Sequence, residues 1–202
     1  SLLDVGSGAG GRGTVAVDGP FAALTSGSLL LGNAGTGTML IDIAGVYTNN
    51  GAATIGNLAG SSGQMTVDSA RWSQQNGTLV VGNAGAGTVI VASGGTLSGS
   101  SAVLGAGTTG TATVRVGGPG SGSRWTNTGT LDIANFGNAK LSVDGGGFVS
   151  AGTTVIGRSA GSAGTLNISG VGSSATLGRL FVGNSGTATV NVTAGGVLSA
   201  GT

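Results

Sequence analysis

The acidic side chains are the first place to look for chemistry, because much else is missing. The chain has six Asp, no Glu, no His and no Cys among its 202 residues. A Ser–His–Asp triad, a Cys–His dyad and ordinary zinc sites are therefore excluded. Paired carboxylates remain, the arrangement that glycoside hydrolysis uses. Asp18 and Asp68 occupy equivalent repeat positions two turns apart, roughly 9.6 Å, at the outer limit for an inverting pair. Asp4 and Asp132 are also equivalent but lie five turns apart, too far to cooperate. Only Asp68 has a cation and an aromatic close by, Arg71 and Trp72. The pattern predicts solvated turn carboxylates and no catalytic residue, no cofactor site and no metal site.

The other candidate ligand groups are the pairs Arg71-Trp72 and Arg124-Trp125, which fall on one edge of the repeat. Two roles fit them. Trp can fill the wider corner of a turn while Arg covers it, or the pairs can form a glycan- or partner-binding edge. Gly-x-Gly strings abound, but none has the strand–loop–helix setting or the lysine of a nucleotide site. No Asp recurs in the glycine-rich turns as calcium-binding nonapeptides require. A net charge of +1 provides no basic face for nucleic acid or anionic lipid. No apolar run is long enough to span a bilayer as a helix.

These residues are positioned by a repeat. An aliphatic residue followed by a small marker recurs at Val5-Gly6, Leu31-Gly32, Ile55-Gly56, Val81-Gly82, Leu104-Gly105, Ile133-Ala134, Ile156-Gly157 and Val182-Gly183, every 23 to 29 residues. A period of this size marks a solenoid, whose units bury their apolar faces by stacking. Each unit holds three short segments with alternating aliphatics, bounded by Gly, Asn and Ser, which read as strands. The 46 glycines and the many β-branched residues disfavour helix. The predicted fold is all-β: a parallel β-helix of about eight coils with three short strands per coil. Coils start near residues 1, 28, 52, 78, 101, 130, 153 and 180 of a single segment, 1–202, expected to be part of a longer repeat protein. Neighbouring coils sum to about 50 residues, so the repeat is a coil pair. The extra residues of the long coils are expected before the third strand, as in Asp68–Trp72 and Gly117–Trp125.

Three surface rows follow. The Asn after the marker (Asn33, Asn57, Asn83, Asn135, Asn184) reads as a structural turn residue in the left-handed region, stacked as a ladder. Outward positions of the first strand are Asp4, Leu30, Thr54, Val80, Val103, Asp132, Val155 and Phe181. Leu30, Val80, Val103, Val155 and Phe181 among them make an apolar stripe, expected to pack on another rod, another chain or a covering segment. Outward positions of the second strand read Ala16, Asp42, Thr66, Ile90, Arg115, Ser142, Asn167 and Asn191, which is no threonine array of the kind an ice-binding face needs.

The motifs Gly82-Asn83-Ala84-Gly85-Ala86-Gly87-Thr88, Gly94-Gly95-Thr96-Leu97-Ser98, Ile156-Gly157-Arg158-Ser159-Ala160-Gly161-Ser162-Ala163-Gly164 and Ser123-Arg124-Trp125-Thr126 resemble the passenger-domain repeats of bacterial type V autotransporters. More narrowly, they are similar to the repeat shared by autotransporters and PEP-CTERM exported proteins. The resemblance covers nearly the whole chain; the seventh repeat departs from it, with Ala175 near the Trp position. It implies a right-handed β-helix displayed on the bacterial outer-membrane surface or released outside the cell, and brings no catalytic residues. The functional expectation is a non-enzymatic structural or adhesive rod acting by adhesion, self-association or fibre formation. Its partners would be itself, laterally or end to end, or a host or neighbouring cell surface. A passive stalk for another domain and a carbohydrate-active enzyme are the alternatives.

Overall fold

Stacking is the only way these short segments can hide their aliphatic sides, and the architecture follows from that. The structure, a computed structural model, describes residues 1–118 and 122–201. Pro119, Gly120 and Ser121 of the expected Gly117–Trp125 insertion, and Thr202, lie outside the described residues. Twenty-two strands and no helix are found among the described residues, and all pairings are parallel. The chain winds through eight coils of a β-solenoid with three faces.

The first face begins with Leu2–Val5 and continues through Ser28–Leu31, Ala53–Ile55, Thr78–Val81, Ser101–Leu104 and Thr130–Ile133. The second is an eight-stranded sheet running from Arg12–Asp18 to Thr187–Thr193. The third runs from Ala23–Ser26 through Val46–Asn49, Arg71–Gln74, Thr96–Gly99 and Arg124–Asn127, ending at Val197–Ala200. In coils six and seven the strands Phe148–Ile156 and Ser174–Val182 pass round the corner without a break, joining faces three and one into one 14-stranded sheet.

Register is strict from coil to coil. On face two, Val15, Met39, Met65, Val89, Val114, Leu141, Leu166 and Val190 stack inside the rod. Met39, Met65, Val89, Val114, Leu141 and Leu166 are buried to 1% exposure or less. Burial of each such side chain contributes about 1.5–3 kcal/mol. On face three the inward row is Leu24, Tyr47, Trp72, Leu97, Trp125, Val149, Ala175 and Leu198. Ala175 thus takes the position that Trp holds two coils earlier. Beside this row an interior polar stack, Ser26, Asn49 and Gln74, links coils one to three. The Ser26 hydroxyl lies 2.7 Å from the Tyr47 hydroxyl, and the Asn49 amide donates to Gln74 Oε1 at 3.1 Å. Asn49 and Gln74 both donate to the Gly51 carbonyl at 2.7 Å. These bonds let amides sit in an apolar core without a desolvation penalty left unmet.

Two expectations need correction. The coil-pair rhythm is set mainly at the corner between faces one and two, where six residues (6–11, 56–61, 105–110, 157–162) alternate with four (32–35, 82–85, 134–137, 183–186). Asp68 and Arg71 are separated by only two residues, so the third coil gains nothing there. Each six-residue corner closes a turn by a backbone bond, as from Ser61 N to Leu58 O at 3.0 Å, and thereby forms a compact protrusion. Secondly, the left-handed residue is the marker and not the Asn after it. Gly32 has φ +69° and Gly82 +68°, and even Ala134 adopts +65°. A Cβ at Gly32 would land on the Ser62 carbonyl of the next coil, so space as well as φ demands glycine.

Candidate functional site

The outward rows of a solenoid are its only extended surfaces, so each candidate residue is placed by row. The first-face row stacks Asp4, Leu30, Thr54, Val80, Val103, Asp132, Val155 and Phe181 in direct register. Leu30, Val80 and Val103 are half-buried, and Phe181 is 48% exposed. Val155 differs: it is 5% exposed, so it contributes little free surface. Asp132 interrupts the row as part of an ion pair. Arg158, at the corner of the following coil, grips it with both arms, Nε to Oδ2 at 2.8 Å and Nη2 to Oδ1 at 2.5 Å. Such bidentate pairing neutralises a carboxylate placed among aliphatic neighbours.

Along the border of this row runs the Asn ladder. Asn33 donates to Asp4 Oδ2 at 3.0 Å, Asn57 to Asn33 Oδ1 at 2.7 Å and Asn83 to Asn57 Oδ1 at 3.0 Å. Ala106 ends the run in coil five; Asn184 donates instead to the Arg158 carbonyl, and Asn135 makes no ladder bond among the described residues. Asn33, Asn57, Asn83 and Asn184 thus tie neighbouring coils together.

The face-two carboxylates are arranged differently from the sequence expectation. Asp18 pairs in register with Asp42, and Ile41 opposite Val67 places Asp42 beside Asp68. Asp42 is therefore the missed member between Asp18 and Asp68, and Leu40, not Asp42, lies opposite Thr66. The register could have been found by counting back from the inward Ile41. Asp42 Oδ1 accepts from its neighbouring backbone N–H at 2.7 Å. The three stand in line along the axis rather than converging, and no cluster of three or more acidic side chains fit to hold a cation is found among the described residues. Farther along, Arg115 clamps Asp144 with bonds of 2.8 and 2.9 Å, which raises the guanidinium pKa further above its usual range through hydrogen bonding and charge.

Two outward rows before the Asp18 row on the same face, Thr14, Thr38, Gln64, Thr88, Thr113, Lys140, Thr165 and Thr189 align. Gln64 and Lys140 project from this row, so it lacks the uniform flat surface that matching to ice demands.

The Arg-Trp pairs divide by the period-two alternation of strand three. Trp72 and Trp125 point inward at 0% and 1% exposure and cannot stack on a ligand. The aromatic half of the expected edge is thus core. Tyr47 and Trp72 pack with ring centroids 6.1 Å apart. Arg71 and Arg124 point outward in one row, with Thr96 between them. The Arg124 guanidinium lies 4.4 Å over the Phe148 ring of the next coil.

Comparison of the chain with family profiles, with curated proteins and with solved structures finds no significant match to any of them. Among the described residues no helix is long and apolar enough to cross a membrane.

Proposed function

We propose that this chain is part of a non-enzymatic rod on a bacterial cell surface or outside the cell, acting by adhesion, self-association or fibre formation. The carrying observation is the unbroken register of the first-face row, which brings Leu30, Val80, Val103 and Phe181 onto one line along the rod. Solvated strand faces turn polar residues outward, and an aliphatic line on such a face is stabilised when it is covered. The spacing of the row is the coil rise, about 4.8 Å, so a second rod of the same rise can pack against it over several coils. The passenger-repeat resemblance supports the cell-surface setting. Within this reading the Asn ladder and the interior polar stack tie the first coils to one another, and the association face needs no cofactor.

The test is a variant with Val80→Thr, Val103→Thr and Phe181→Ser, which keeps β-compatible side chains on the row. Sedimentation velocity over a range of concentrations is expected to show wild-type chains associating and the folded variant shifted toward single rods. A folded variant that associates as strongly as wild type refutes the assignment of this face.

A further inference from the structure

The outward surface of face three has a property that neither the Arg-Trp pairs nor the apolar row exposes. Its second outward row is Thr25, Thr48, Ser73, Ser98, Thr126, Ser150, Thr176 and Ser199, paired coil to coil without a slip. Every coil therefore presents a hydroxyl at this position, about 4.8 Å from the next. The neighbouring outward row carries Arg71 and Arg124, both exposed and neither in an ion pair among the described residues. The face-three stretches of these strands, through residue 151 in Phe148–Ile156 and residue 177 in Ser174–Val182, contain those two cations and no carboxylate. The Arg124 guanidinium lies over the Phe148 ring of the next coil, a contact that favours its outward position.

We infer that this face binds an extended polysaccharide laid along the rod axis. A straight file of hydroxyls complements a chain molecule that offers hydroxyls at a similar repeat; within the file Ser73 Oγ already accepts from Gln75 Nε2 at 2.6 Å and from Ser98 Oγ at 3.5 Å, so there a ligand meets its remaining donor. The guanidinium groups stand two coils apart, about 9.6 Å, and provide forked donors to sugar hydroxyl or carboxylate oxygens beside the file. Sheet positions are rigid, so little ordering entropy opposes binding, and many weak bonds in series give avidity. A protein partner fits less well, because interface cores favour aromatic and apolar groups, while this row is hydroxyl throughout. Two copies packed face three to face three bring four guanidinium groups together with no acid on either strand set. The inference rests on the adhesive reading above for its setting, but its site is separate from the first-face row.

Co-sedimentation with insoluble cellulose and chitin, and affinity electrophoresis in gels containing alginate, cover neutral and uronate-bearing chains. Wild type is expected to bind at least one of them. The variant Ser73→Ala, Ser98→Ala, Thr126→Val, Ser150→Ala, with an unchanged β-type circular dichroism spectrum, is expected to bind that polymer at least tenfold more weakly. Arg71→Gln with Arg124→Gln should weaken it severalfold, whereas Thr88→Val, Thr113→Val, Thr165→Val on face two should leave it unchanged. Binding to none of the three polymers, or full binding by the hydroxyl-deleted variant, overturns the inference. Loss of self-association instead of glycan binding in that variant also overturns it, in favour of a copy-to-copy contact. Both readouts are independent of the first-face variant, so failure here leaves the proposed association face standing.

Discussion

Removing Arg158 alone should be far more damaging than removing its partner Asp132 or removing both. Asp132 is 7% exposed on the first-face row between Val103 and Val155. Arg158→Ala leaves its carboxylate nearly enclosed without a counter-ion. Breaking a fully buried pair costs about 3–5 kcal/mol, and an exposed pair about 0–1. The Asp132 side chain is 10% exposed but that of Arg158 is 37%. Solvent thus screens one end, and the expected loss is about 2 kcal/mol. Asp132→Val leaves a cation that can turn into water, and should cost under about 0.5 kcal/mol. The double variant replaces the pair by an aliphatic that continues the row and should fall within about 1 kcal/mol of wild type. Solenoids open locally, so the assay is native-state hydrogen exchange on peptides covering Thr130–Ile133 and Phe148–Ile156. Exchange there should quicken about thirtyfold in Arg158→Ala and return close to wild type in the double variant. Equal exchange in wild type and Arg158→Ala, or a double variant as labile as the single, refutes this account of the pair.

Two further outcomes follow from the core. Burial pushes the pKa of Tyr47, the only tyrosine of the chain, above 10.0, partly offset by its bond to Ser26. A raised acid pKa means stability is fully present below pH 10.0 and falls above it, as the unfolded phenol ionises first. Phenolate absorbance should therefore lag a model tyrosine, and Tyr47→Phe should flatten the alkaline loss; a normal titration refutes the buried placement. Gly32→Ala should destabilise by at least about 2 kcal/mol, since it adds a left-handed penalty to a clash with Ser62. Gly60→Ala, with similar φ and nothing near its Cβ, should cost only about 1 kcal/mol; equal melting temperatures for the two would contradict the interlock.

Coil number, strand direction and the inward aliphatic rows were legible in the sequence because marker and alternation repeat together. The first-face row was legible for the same reason: its strand ends at the marker, which fixes phase. Face two was less so, since its strand lies six or four residues past the marker; the alternation, expected before the third strand, falls at this corner instead and moves Asp42 two places out of row. Face three lies beyond two variable corners, so its hydroxyl file emerges only when pairing is known. The Trp positions illustrate the same point. Sequence placed Trp72 and Trp125 on one edge, but only the alternation of Arg71-Trp72-Ser73-Gln74 decides which side chain faces water. The left-handed role of the marker over the Asn was hidden because both residue types favour that region.

The central claim, that rods associate through the first face, is tested most directly by cysteine cross-linking, because the chain has no cysteine of its own. Val103→Cys places one thiol on the apolar row, and Thr88→Cys places one on face two as the control. Under mild oxidation the account predicts covalent dimers from Val103→Cys and few from Thr88→Cys at the same concentration. Dimers forming equally from both, or preferentially from Thr88→Cys, contradict it.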